Sequence, residues 1–461
     1  MNLATVKHIY FLGIGGIGMS ALAHYFLQQG KKVSGYDRTR TLVTDALVAA
    51  GAEVFFTQDP AHLTGKDLVI FTPAIPVDAP ERVAAQQLGL PMMKRAAVLG
   101  SISMEKKTIA VGGTHGKTTT SSMATHLLRT AGVDVTAFLG GISRNLGGNF
   151  AIGSSDWCVA EADEFDRSFL HLFPEIALIT STDADHLDIY GSASEVLEGY
   201  RAFARQCRKL LLPVELNDGQ WPLSPATYGL GAGDFQANNL RQDGPVTRFD
   251  FFGPDIVFKD LELHVPGKHN VLNMTAALAL SLLAGAHPDQ LAKAVASFSG
   301  IYRRFEIHLN HPELAYVDDY AHHPTEIRAA LEGARSAFPA RQVVTVFQPH
   351  LFTRTRDFAG GFREALSGSD AVLMMDIYPA REIAIEGVTG SWLLEGIHAD
   401  TAMMAEKGRL PALLDQVVSM PAVVLTLGAG DIDQEVESVK NWANSRIAPL
   451  SATGYKAKEK P

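Results

Sequence analysis

Cysteine is almost missing from this 461-residue chain. Only Cys158 and Cys207 occur, each alone in its segment, which excludes a disulfide framework and a cysteine-based zinc site. Long hydrophobic runs are missing too: the longest uncharged apolar stretch, residues 274–286, falls short of the ~18 residues expected of a membrane span. The opening residues, MNLATVKHIYFLGIGG, pass from a charged lead straight into a glycine-rich loop, without the apolar core and small-residue cleavage site of a signal peptide. A cytoplasmic location is expected. There is no excess of positive charge either. The formal net charge is −10, so no global basic field draws nucleic acid or an anionic membrane, and anionic ligands must be held locally. What is present is ordinary for a globular protein: 46% apolar and 20% charged residues, which excludes collagenous and disordered classes. At about 100–200 residues per domain, the length calls for roughly three domains.

Residues 8–12 read as a short buried strand, 17–29 as a helix and 32–36 as a second strand, a βαβ opening. Further strand runs at 68–71, 108–111, 157–160 and 176–180 are mostly separated by helical patterns, which predicts α/β architecture with parallel sheets. From about 217 to 267 the texture changes to glycine, proline, aromatic and polar residues with alternating pieces, and antiparallel strands are expected. Helical pattern returns at 270–284 and 288–297. Residues 299–306 look like a joint, after which strands at 313–317, 343–347, 371–375 and 422–427 alternate with helices as a further α/β domain would. The tail from 451 lacks a periodic apolar face.

Gly13, Gly15 and Gly18, with Ile14, Gly16 and Ile17 between them, form G-x-G-x-x-G between a strand and a helix. Backbone N–H groups there can hold a pyrophosphate, and Asp37 follows the second strand where a ribose-binding acid usually stands. The plainer reading is a tight turn and no more. A second loop is more informative. GGTHGKTTT, residues 112–120, carries a Gly-Lys-Thr core at Gly116, Lys117 and Thr118, in which backbone amides cradle phosphates, the lysine reaches the outer phosphates and the hydroxyl meets Mg²⁺. The usual spacing fails by one position, because Val111 stands where the first glycine belongs. EADEFD (161–166) and DADHLDIY (183–190) each follow an apolar strand, placing Glu161, Asp163, Asp185 and His186 near strand ends where α/β sheets bind ligands. Their hard oxygens suit Mg²⁺; solvated acidic loops are the bland alternative.

Downstream, GKHNVLN offers His269, Asn270 and Asn273, which alone would read as a helix cap. YRRFE and VDDYAHHPTEI add Arg303, Arg304, Asp319, Tyr320, His322 and His323. The paired histidines invite a zinc reading, but a following proline removes the i,i+4 geometry that such a site uses. FQPHLFTRTRDF supplies His350, Arg354 and Arg356, a chemistry suited to carboxylate or phosphate.

GTHGKTTT, EADEFDRSFL, DADHLDIYG, GKHNVLN, RRFE and DDYAHHPTE occur here in the order seen in the Mur ligases of bacterial peptidoglycan synthesis, and the resemblance covers nearly the whole chain. It implies three domains: residues 1–105, Rossmann-like, for a UDP-linked substrate; 106–299, a central P-loop ATPase-like domain for ATP and Mg²⁺; and 300–461, Rossmann-like, for the amino acid and part of the nucleotide. It further implies Gly113, Thr114, His115, Gly116, Lys117, Thr118 and Thr119 around the ATP phosphates. Thr118, Glu161 and His186 would hold Mg²⁺, with Lys117, Glu161 and His186 as the catalytic group. Asn270, Asn273, Arg304, Asp319, Tyr320 and His322 would grip ATP. Gly13 to Gly18 and Asp37 would hold the UDP portion.

FLGIGGIGMSALA at the start, and FQPHLFTRTRDF, DIYPAREIAIEGV and LGAGDI near the end, are similar to the members that join L-alanine to UDP-N-acetylmuramate through an acyl phosphate. His350 and Arg354 would then meet the amino acid. Many such enzymes have Arg after the QPH histidine; Leu351 stands here, which shifts the carboxylate contact to Arg354. A ligase that recycles murein tripeptide is the near alternative. An NAD-dependent oxidoreductase leaves the Gly-Lys-Thr loop unused, and a non-catalytic nucleotide-sugar sensor predicts no turnover. No nucleic-acid partner or membrane insertion is expected, and the chain is read as a monomer or homodimer.

Overall fold

Ile9, Tyr10, Phe11 and Leu12 are all fully buried, as befits a parallel strand covered on both faces. That strand, His8–Leu12, is the middle of a five-stranded parallel sheet, flanked by Lys32–Tyr36 and Leu68–Phe71, with Glu53–Phe55 and Met92–Lys94 at the edges. The helix Ile17–Gln28 packs one face into the core through Met19, Leu22 and Phe26. Each such buried side chain contributes about 1.5–3 kcal/mol. The computed structural model describes residues 2–183, 187–380 and 382–447. They form two compact units, Met1–Arg241 with Thr247–His264 and His269–Tyr302, and the remainder.

The first unit also holds a ten-stranded sheet. Its centre is Trp157–Glu161, Lys107–Gly112 and Ile176–Ile179, three neighbouring parallel strands whose C-terminal ends release the loops at 113–116, 162–166 and 180–183. Ligands in open α/β sheets bind at such ends. The expectation of antiparallel strands between 217 and 267 holds for Val246–Gly253 against Ile256–Leu263. Ala226–Leu230 instead pairs parallel with both Lys209–Pro213 and Phe235–Asp243, around left-handed Gly231 and Gly233.

Within this unit the two sheets are joined by side chains. Tyr25 packs tilted against Phe138 and edge-on against Phe150, at 5.5 and 6.3 Å between ring centres. Asn149 Nδ2 donates to Ile17 O at 2.6 Å and to Ser20 Oγ at 3.0 Å. Gly100, inside the helix Arg95–Met104, lies so close to His171 that an added Cβ would fall 2.4 Å from its carbonyl oxygen. Both cysteines are buried.

The second unit carries a six-stranded sheet in the order Glu306–Asn310, Leu314–Asp319, Ala422–Leu427, Gln342–Phe347, Ala371–Met374, Thr401–Met404. Only the first strand runs antiparallel to its neighbour. Helices cover both faces, giving one core around Val317, Phe347 and Leu425 and another around Tyr316, Val346 and Val424. Among the described residues no helix is long and apolar enough to cross a membrane.

Candidate active site

The loop between Lys107–Gly112 and the helix Lys117–Thr130 turns on two left-handed glycines, Gly113 at φ 121° and Gly116 at φ 79°. No other residue fits there. A Cβ on Gly113 would fall 2.1 Å from Thr180 Oγ1, and one on Gly116 would fall 2.8 Å from Asn273 Oδ1. Val111, where a glycine was expected, is a fully buried strand residue; the turn simply begins later. The amides of Thr114 and His115 donate to Ser181 O and Ser181 Oγ at 3.1 and 2.8 Å, tying the loop to the next strand's end. Thr114 Oγ1 donates to Asp183 O at 2.8 Å, and the His115 ring lies 3.3 Å from the Asp183 carboxylate. Thr119 and Asn270 are buried nearby in the same unit.

Lys117 Nζ reaches Gly113 O at 2.6 Å, Thr114 O at 3.2 Å, and both oxygens of Glu164 at 2.8 and 3.0 Å. Burial alone would lower this ammonium's pKa. The Glu164, Glu161 and Asp163 carboxylates overturn that and hold it above the ordinary lysine value. Thr118 Oγ1 donates to Glu161 at 2.9 Å. A hydroxyl and a carboxylate side by side at a phosphate loop are the hard oxygen donors that Mg²⁺ takes. His186 and Asp185 lie outside the described residues.

Asp163 faces the other sheet of the unit: Arg95 NH2 donates to its Oδ2 at 3.1 Å. Arg95 also lies over the first glycine loop, where a Cβ on Gly18 would fall 2.6 Å from its NH1. A cleft of about 380 Å³ runs from Gly16, Ile17 and Gly18 past Arg95 to Glu161 and Asp163. The earlier part of that loop is engaged internally. Gly13 and Ile14 N–H both donate to Tyr36 O, at 2.8 and 3.0 Å, and Gly15 N–H donates to Asp37 Oδ2 at 2.8 Å. Asp37, expected at a ribose, follows the second strand and holds the glycine loop through this bond.

In the second unit, left-handed Arg303 (φ 57°) and Phe305 (φ 46°) bracket Arg304. Arg303 Nε donates to Asp318 at 2.9 Å and its NH2 to Gly428 O at 2.8 Å, while Arg304 stacks over Tyr320 at 5.2 Å. Asp319 accepts the N–H of Phe305 at 2.6 Å and of Ala321 at 2.7 Å. Burial lifts its carboxyl to about 6, against the pull of Arg304 and those two amides. His322 Nδ1 lies 3.0 Å from Tyr320 O, and its ring is 6.2 Å from that of His350, which stacks on Tyr378. His323 caps the following helix, accepting Thr325 N–H at 3.3 Å. Arg354 is buried in the helix Phe352–Asp357, whose start is held by Glu382 accepting from Thr353 N–H at 3.0 Å. Leu351 has φ 69°, its N–H donating to Tyr378 O at 2.9 Å.

Models of the Mur ligase family, catalytic domain, the Mur ligase middle domain and the Mur ligase, glutamate ligase domain match residues 8–107, 111–281 and 303–430. The chain belongs to the Mur ligase family. A UDP-N-acetylmuramate–L-alanine ligase of Flavobacterium johnsoniae is 45% identical over 457 residues, covering 97% of this chain and 100% of that one. The solved UDP-N-acetylmuramate–alanine ligase of Thermotoga maritima superposes with a TM-score of 0.81 at 31% identity, over 96% of this chain and 100% of that one. A murein peptide ligase of Psychrobacter arcticus shares the fold at TM-score 0.69 and 22% identity, over 96% and 100%. The three-domain Mur ligase architecture expected from the motifs is thereby shown. Motif reading missed two residues at this Mur ligase's cleft and phosphate loop. Glu164 stands within EADEFD, but which of its acids turns toward Lys117 depends on the backbone after Glu161. Arg95 opens a helix with no motif around it.

Proposed function

We propose that this chain joins L-alanine to UDP-N-acetylmuramate with hydrolysis of ATP to ADP and phosphate. Full-length likeness to L-alanine ligases supports the substrates. The observation that carries the geometry is a continuous cleft joining Gly16–Gly18 to Glu161 and Asp163: a UDP-sugar held at the first loop would extend its lactyl carboxylate toward the Gly-Lys-Thr loop. The division follows as residues 1–105 for the UDP substrate, 106–299 for ATP and Mg²⁺, and 300–461 for alanine and part of the nucleotide. We infer a cytoplasmic reaction, because it draws on ATP and a UDP-sugar.

A carboxylate is inert to amines, so it first takes the γ-phosphoryl of ATP, giving an acyl phosphate and ADP. The amine of alanine then attacks the acyl carbon, a proton leaves the nitrogen, and phosphate departs as the amide forms. The residues here position and neutralise. Lys117 and the amides at the start of its helix gather the phosphates, with Asn270 and Asn273 beside the loop. Thr118 and Glu161 would hold Mg²⁺, which supplies charge neutralisation when bound; His186 is assigned with them from its motif. Arg304, Asp319, Tyr320 and His322 serve the nucleotide. Arg354 pairs with the alanine carboxylate and His350 borders it.

The test is phosphate release with ATP, Mg²⁺ and UDP-N-acetylmuramate, each amino acid being added in turn. Release should need UDP-N-acetylmuramate and L-alanine together. Stimulation by L-Ala-γ-D-Glu-meso-diaminopimelate and none by alanine would replace this reading with the recycling one.

A further inference from the structure

An ammonium has three protons to donate, and Lys117 already has four oxygens within reach: two carbonyls of its own loop and both carboxylate oxygens of Glu164. The pair is enclosed, with 13% and 5% of the two side chains exposed. Glu161 is met by the Thr118 hydroxyl and Asp163 by Arg95. Glu164 is thus the acid whose two oxygens both turn to the loop lysine. Its backbone is pinned as well: the Tyr190 hydroxyl and the Arg167 N–H both donate to Glu164 O, at 2.8 and 2.9 Å. Asp166 and Arg167, both left-handed, bend the chain immediately afterward.

We propose that Glu164 occupies, in the nucleotide-free enzyme, the place on Lys117 that an ATP phosphate takes, so that ATP must displace this internal anion to bind. The inference rests on reading residues 112–118 as the ATP loop. Lys117 cannot serve Glu164 with two bonds and a phosphate oxygen at once, because its remaining capacity is taken by Gly113 O and Thr114 O. An enclosed lysine without a counter-charge is costly, so the same contact also stabilises the loop. The population in which Lys117 is free to meet phosphate is correspondingly small, and apparent affinity falls by that fraction.

The test is Glu164→Gln in the full-length protein, with MgATP binding followed by calorimetry in the absence of UDP-N-acetylmuramate and alanine, and thermal unfolding followed without ligand. The variant should bind MgATP about tenfold more tightly, by removal of the competing state. It should unfold at lower temperature when empty, and gain more from saturating MgATP than the wild type does. An equal or weaker affinity overturns the proposal. Glu164→Asp, which keeps the charge but withdraws it by one methylene, guards against a poorly folded glutamine variant. Its affinity should lie between wild type and Glu164→Gln, and one weaker than wild type also overturns the proposal. Lys117→Met separates the two layers of argument. If it binds MgATP as the wild type does, the ATP reading of the loop fails. If it loses MgATP while Glu164→Gln is unchanged, only the displacement fails.

Discussion

Lys117 is the residue on which most of the proposed chemistry converges, and its loss should be correspondingly specific. Lys117→Ala removes the cation proposed to gather the phosphates, and turnover should fall at least ~10³-fold, as for other groups that stabilise a transferring phosphoryl. UDP-N-acetylmuramate should still bind, because Gly16 to Gly18 open the helix that follows a strand of the other sheet; equal loss of both in a binding and rate comparison would sink the division of labour. Asp319 gives a second, pH-dependent prediction. Its folded pKa of about 6 lies above the ordinary 3.8, so it favours the fold below pH 4 and that contribution, about 3 kcal/mol, is lost as pH rises to 6. Asp319→Asn should flatten the wild type's fall in unfolding free energy between pH 4 and 6, read by denaturant titration. Not all of this was readable in sequence. Lys117, Thr118 and Glu161 stood in motifs, whereas the bond by which the Asp37 carboxylate holds Gly15 N–H depends on how the glycine loop folds back and has no sequence signal.

Elements were easier to read than side-chain directions. The strands at 8–12 and 68–71 are nearly continuous apolar runs, the one at 32–36 is more mixed, and all three occur at those positions. The parallel pairing of Ala226–Leu230 was missed, since alternation marks a strand but does not say which neighbour it joins. Glycines supply the sharpest test at this scale. At Gly113 both a left-handed backbone and the nearby Thr180 oxygen oppose a side chain. Gly113→Ala should combine overpacking of about 1–3 kcal/mol with backbone strain of about 1–3 kcal/mol, and should abolish MgATP binding. Gly30→Ala, also left-handed but facing open space, should lower the unfolding midpoint less and leave MgATP binding intact.

For the whole molecule, Arg95 matters most, because it touches both the first glycine loop and Asp163 beside the second. Two anionic ligands that compete for, or share, one guanidinium are thermodynamically coupled, and the coupling must be reciprocal. Whatever factor UDP-N-acetylmuramate imposes on the dissociation constant of MgATP, MgATP should impose on that of UDP-N-acetylmuramate. Arg95→Met should bring both factors toward one by the same amount; calorimetric titrations in both orders measure this, and an undiminished factor would show that the coupling runs elsewhere. The two buried cysteines carry a practical consequence. Burial pushes the Cys158 thiol up to about 12 and the Cys207 thiol to about 11, so neither offers a reactive thiolate near neutral pH. The native chain is therefore a chemically silent background for thiol-directed probes. A single cysteine introduced for exposed Val77, or for exposed Ile383, should take up a maleimide dye alone, so that one fluorescent label can be set at a chosen place without first removing the native thiols.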